Sequence, residues 1–171
     1  MTRLLKGLHL IALCVFVGSI PAHIVIGALA EGAADAEAFA LHHQVKHVLT
    51  QGLTGAGLAA TGISGVLLLL ARRDLLRRRW MQVKLAAMAL IAANGGLVLM
   101  PLAGRMADLA ARAAADGALD PAFAGLAHQE SIAGAANLGL ILLALGLAVA
   151  KPRLGQGRAR PPLNGAANGA A

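Results

Sequence analysis

The chain has 171 residues, enough for one domain, and 58% of them are apolar against 13% charged. Soluble domains carry nearer ~25% charged residues, so this composition excludes an ordinary soluble globular protein. The net charge of +7 raises nucleic acid as a partner, but its distribution along the chain argues for a membrane role instead. The single cysteine, Cys14, excludes an intramolecular disulfide and a cysteine-based zinc site.

Four apolar segments follow one another: Gly7 to Leu29, Gly52 to Ala71, Trp80 to Ala103 and Ser131 to Ala150. Each is close to the ~20 residues a helix needs to cross the hydrocarbon layer. Lipid offers backbone groups no partner, so each span must be helical. The expected fold is all-α, a four-transmembrane-helix bundle forming one domain over residues 1–151. Residues 31–51, between the first two spans, read as an amphipathic helix continuing the second span outward. Residues 104–129 read as an outer loop with an Ala-rich helical part and a turn near Asp116-Gly117 and Asp120-Pro121. Residues 152–171, rich in Gly, Pro, Ala and Arg, are expected to form a disordered cytoplasmic tail. Pro21 and Pro101 fall near span ends, where a kink costs least.

Charge orients the spans. Arg3 and Lys6 precede the first, Arg72 to Arg79 with Lys84 fill and follow the second link, and Lys151, Arg153, Arg158 and Arg160 follow the fourth. Twelve of the fifteen Lys and Arg thus share one side, and seven of the eight acidic residues lie on the other. The positive-inside rule places both termini in the cytoplasm, with the protein in a bacterial inner membrane. The basic side then meets anionic lipid, and no nucleic-acid partner is expected. Arg3 and Lys6 ahead of an apolar stretch and Ala28-Leu29-Ala30 also fit a cleavable signal. The stretch exceeds the roughly 7–15 residues of a signal core, which favours retention of the first span.

Small residues recur in the second span: Gly57, Thr61 and Gly65 at spacing four, Gly55 and Gly62 at spacing seven. They predict a face for close helix packing; room for a flat cofactor is the functional alternative. Asn94 and Asn137 lie inside the third and fourth spans, where they either hydrogen-bond across helices or line a polar path.

Five of the six histidines fall at the outer level: His23, His42, His43, His47 and His128. His43 and His47, four apart, share a helix face. Met100 and Met106 flank the outer end of the third span. Imidazole with thioether suits copper, Cu(I) above all; imidazole alone suits zinc or haem iron as well. The candidate metal ligands are His23, His43, His47, His128 and Met100, and His23, His47 and His128 are the candidate cofactor-binding residues, for copper or one haem b. The competing reading is that these histidines are solvated. His9, near the inner end of the first span, is expected to make a structural hydrogen bond. The chain carries no phosphate loop, dinucleotide fingerprint or serine elbow, so enzymatic activity is not indicated.

Several short motifs carry a resemblance. Leu8-His9-Leu10-Ile11-Ala12-Leu13 followed by Val17-Gly18 resembles the first helix of a group of small four-helix bacterial membrane proteins. The group includes the copper-resistance D-type proteins and several families of integral membrane proteins without known activity. Leu76 to Trp80 is similar to the start of their third span, and Met100-Pro101 with Arg105-Met106 to the segment that closes it. Ala148-Val149-Ala150-Lys151-Pro152 resembles the end of the last helix. Phe123 with His128, Ser131 and Asn137-Leu138 is similar to a related fourth-helix signature. The resemblance implies a four-helix membrane fold. Some members are implicated in copper uptake and a distant relative works in haem synthesis. His9 falls on the group's first-helix histidine and His128 on its fourth-helix one; His23, His42, His43 and His47 have no counterpart.

The readings are therefore a copper- or haem-binding membrane protein, a small transporter or channel, or an accessory subunit of a homo-oligomer or larger membrane complex. Topology has a direct check. Reporter fusions at residue 75 and at the C-terminus should report cytoplasm, and one near residue 115 the opposite side; an external C-terminus refutes the assignment.

Overall fold

A computed structural model describes residues 2–150, so the tail from 152 onward lies outside the described residues. The described residues form six α-helices: α1 (Thr2–Glu31), α2 (Ala36–Leu49), α3 (Ala56–Leu70), α4 (Arg79–Asn94), α5 (Met100–Asp116) and α6 (Ala122–Ala150). Two π-helical segments, Thr50–Gly55 and Gly95–Leu99, join α2 to α3 and α4 to α5 without a break. The result is four continuous helices long and apolar enough to cross a membrane. The fold is a four-helix membrane bundle, with no strand among the described residues.

Two ends can be told apart by charge. The basic end holds Arg3, Lys6 and the 3-10 turn Arg73–Arg77 between α3 and α4. The acidic end holds the α1–α2 and α5–α6 connections. Local chemistry explains both of these breaks. Asp35 caps α2 by accepting the Ala38 N–H at 2.7 Å. Gly117 ends α5 in the left-handed region at φ 76°, which a side chain would strain. The Asp120 carboxylate accepts the Ala122 N–H at 2.8 Å and starts α6.

The second and third continuous helices have 35 and 38 residues, well beyond the ~20 that span the hydrocarbon. Their excess is α2 and α5, which pack against each other at the acidic end. What reads as an outer loop at 104–116 is thus mostly α5, carried straight on from the third span. Its buried stripe of Leu102, Ala103, Met106, Ala107, Ala110 and Ala113 has helical periodicity, and Arg105, Asp108 and Arg112 are exposed opposite it. That stripe packs on Phe39 and Phe123 in a small apolar cluster.

Within the spans the exposure pattern is inverted relative to a soluble bundle. Ile11 is 64% exposed and Leu97 78%; these faces meet lipid. The interior is built around Phe16, Ile91 and Ile141, from α1, α4 and α6, with Leu58 of α3 against them. Pro21 is inside α1, and Pro101 is in the first turn of α5, just past a π segment.

The α1–α3 pair is the tightest contact. A Cβ on Gly57 would lie 2.9 Å from the Phe16 backbone nitrogen, so only glycine permits this approach. Thr61 is buried on the same face, and Gly65 lies against the His9 ring. Gly55 instead meets the Met100 side chain, and Gly62 meets nothing within 4 Å. The packing face expected from the small residues is real, except at Gly62.

A substitution pair tests it. Gly57→Ala should lower stability in detergent by about 1–3 kcal/mol, the usual cost of overpacking. Gly62→Ala should be neutral or raise Tm through better helix propensity. Equal Tm for Gly57→Ala and wild type would show that α1 and α3 do not approach this closely.

Candidate functional site

The acidic half of the α1–α3 seam is polar. The Ser19 hydroxyl donates to the Phe16 carbonyl at 2.7 Å and accepts from Thr54 at 2.9 Å. One turn further, His23 Nδ1–H donates to the Ser19 carbonyl at 2.7 Å, and its Nε2 lies 2.9 Å from Thr50 Oγ1. The Thr50 hydroxyl also reaches the Lys46 carbonyl at 2.8 Å. Because the Ser19 oxygen can only accept, Nδ1 carries a proton, and on a neutral ring Nε2 is an acceptor. His23 and the Lys46 carbonyl then compete for the single Thr50 hydroxyl hydrogen.

At the same end lies the ion pair Lys46–Glu130, at 2.6 Å between Nζ and Oε2. It links α2 to α6, with side chains only 13% and 18% exposed. Gly27 of α1 lies beside the ammonium. Glu130 is therefore a half-buried carboxylate within α6, where a sequence reading places it in a loop. Lys46 reads in the sequence as one more outer charge; nothing in its neighbours marks its partner 84 residues away.

The candidate ligands take separate positions. His43 is buried between Phe39 and Phe123, with ring centroids 4.6 and 5.1 Å away. His128 is exposed on α6. His42 donates from Nδ1 to the Ala38 carbonyl at 2.6 Å. His47 points from α2 toward α5, where the missing Cβ of Gly104 leaves room for its ring. Its Nε2 lies 3.0 Å from the Gln51 amide, and its Nδ1 is buried without a hydrogen-bond partner. Met100 lies one turn before Gly104 on α5 and packs its methyl against Gly55. His47 and Met100 thus share the seam between the α2–π segment and α5. Among the described residues no three of His, Cys, Asp and Glu gather as a metal-ligand group.

In the third and fourth spans, Asn94 donates from Nδ2 to the Ala133 carbonyl at 2.8 Å and to Asn137 Oδ1 at 3.3 Å. The two amides join α4 to α6. At the basic half of the α1–α3 seam, His9 Nδ1 lies 2.9 Å from Ser64 Oγ, the interhelical bond its position suggests.

Long apolar helices, lipid-facing side chains and polar groups paired between helices define a small multi-pass integral membrane protein. Residues 3–152 match the family described as predicted integral membrane protein (DUF2269), and the chain belongs to that family. No curated protein and no solved structure matches the chain.

The ion pair supplies a test. Lys46→Met alone leaves Glu130 half-buried without its partner and should destabilise, by less than the ~3–5 kcal/mol of a fully buried pair because of residual exposure. The double variant Lys46→Met/Glu130→Leu should recover most of that loss in thermal unfolding. A double variant as unstable as the sum of the two single ones would show no coupling between them.

Proposed function

We propose that the protein binds copper, as Cu(I), at its acidic end, with His47 as the principal ligand. The observation that carries this reading is the buried, unpartnered Nδ1 of His47. Burying such a group costs free energy unless something occupies it. Turning the Gln51 amide by half a turn exchanges its nitrogen for its oxygen, and its carbonyl then accepts the Nε2–H. Nδ1 then presents a lone pair into the α2–α5 seam. A ring nitrogen held by an amide carbonyl while the other faces a ligand is the usual arrangement of metal-bound histidine.

Met100, on the same face of α5, supplies the thioether, and imidazole with thioether selects Cu(I). His23, its Nδ1–H tied to a backbone carbonyl in the same way, joins the donor set only by exchanging its Nε2 hydrogen bond to Thr50 for the metal. His128 is the exposed donor through which ion entry begins, and His43 supports α2 through its aromatic contacts. Two π segments adjoin this level, and π turns concentrate at functional sites. Copper suits the site better than haem b, because imidazole with thioether selects Cu(I). In this reading the acidic end faces the periplasm of an inner membrane, and both termini the cytoplasm.

Metal analysis of detergent-purified protein after Cu(I) loading under reducing conditions decides it. Wild type should retain about one copper per chain, as a site with one principal ligand implies. His47→Ala and Met100→Leu should each lower retention at least severalfold, while His9→Ala leaves it unchanged. Equal retention by His47→Ala refutes the proposal. A visible absorption band of haem in the purified protein would assign the histidines to haem b instead.

A further inference from the structure

Lys84 is a charge without a partner. It lies five residues into α4 from Arg79, about 7.5 Å along the helix axis at ~1.5 Å per residue, and it is half-buried. Among the described residues no carboxylate lies within ion-pair distance of it. The chain has little to offer it: the one acidic residue at the basic end is Asp74, exposed in the turn between α3 and α4. Ionisable groups at membrane depth are costly and mark function unless they are paired.

A second basic group stands beside it. Phe16 of α1 and Ile91 of α4 meet in the core; His9 and Lys84 each lie seven residues, about two helical turns, before them, and both helices start at the basic end, so the two residues share a face at one level. Ser64 Oγ donates to the Ala60 carbonyl at 2.6 Å; the His9 Nδ1–H therefore donates to Ser64, and Nε2 has no hydrogen-bond partner among the described residues. The ring fits against Gly65, whose Cβ would come within 3.3 Å of its Cε1. Side chains lean toward the N-terminus of their helix. For α1 and α4 alike that is the basic end, so both groups incline toward the level of the phosphate headgroups. Apolar side chains flank both: Leu8 and Leu10 beside His9, Val83 and Leu85 beside Lys84, all exposed to lipid.

We propose that Lys84 and His9 form a binding site for an anionic phosphate headgroup, drawn from a phospholipid of the leaflet at the basic end. The ammonium neutralises the phosphate, the His9 ring lines the site beside it, and the flanking apolar residues hold the acyl chains. A free phosphate would satisfy the charge but not the apolar flanks. The site lies at the opposite end of the bundle from the proposed copper ligands and stands independently of them.

Native mass spectrometry of the detergent-solubilised full chain tests this with three probes: phosphatidylglycerol, phosphatidylcholine and inorganic phosphate. Wild type should retain phosphatidylglycerol in preference to phosphatidylcholine, and millimolar inorganic phosphate should not displace it. Lys84→Met should weaken phosphatidylglycerol retention about tenfold, and Lys84→Arg should preserve it. Arg77→Gln, an exposed cation of the neighbouring turn, should stay within twofold of wild type. Thermal unfolding without added lipid checks that the variants fold, and Lys84→Gln serves should Lys84→Met fail to do so. Unchanged retention in a folded Lys84→Met or Lys84→Gln variant overturns the site. Displacement by inorganic phosphate overturns the lipid as its occupant.

Discussion

The approach of α1 to α3 at Gly57 and Phe16 sets the rest of the structure. Apolar burial does not drive helices together in lipid, where hydrocarbon is already the solvent; close contact and interhelical hydrogen bonds do. With backbone against backbone at Gly57, short side chains above and below come within hydrogen-bonding reach. Ser19 meets Thr54 and His23 meets Thr50 toward the acidic end, and His9 meets Ser64 toward the basic end. A larger residue at 57 would separate the helices and leave several polar groups facing hydrocarbon together. The interhelical partners of Ser19, His23 and His9 thus depend on one missing methyl group.

The histidines fall into different physical roles. His9 and His23 lie in helix–helix seams and hydrogen-bond across them. His43 packs as an aromatic ring. His47 alone has a nitrogen sealed from water and left unpaired. The sequence presents them as one group, because five fall at one level of the membrane. Level along the axis is set by residue number, but the direction each ring faces depends on which helix lies opposite.

That distinction explains what was legible before the fold was known. The spans follow from runs of apolar residues long enough for hydrocarbon, and the packing face follows from Gly57, Thr61 and Gly65 at spacing four. The reach of α5 was harder to see: Ala-rich residues after Ala103 fit either a loop or a helix, and the stripe ending at Ala113 gains its meaning only against α2. The Lys46–Glu130 pair joins residues far apart in the chain, and no local pattern announces it. Lys84 stands out as a single base within an apolar stretch, yet by charge alone it groups with the arginines that mark topology. Its want of a counterion emerges only when its surroundings are known.

The two π segments have a geometric consequence. A π turn amounts to one extra residue in an α-helix, so everything beyond it is rotated by roughly 100° relative to an uninterrupted helix. The segments lie near each other, with Gly55 against Met100 and Gly95 against Leu58. Both helices therefore change their azimuth at about the same depth, and they can stay in contact while doing so. The lower half of the bundle can direct one stripe of each helix inward and the upper half a different stripe. A sequence wheel drawn along either full span would smear the two together. One chain thereby carries two stacked interfaces with separate registers, and residues on one storey can change without disturbing the alignment of the other.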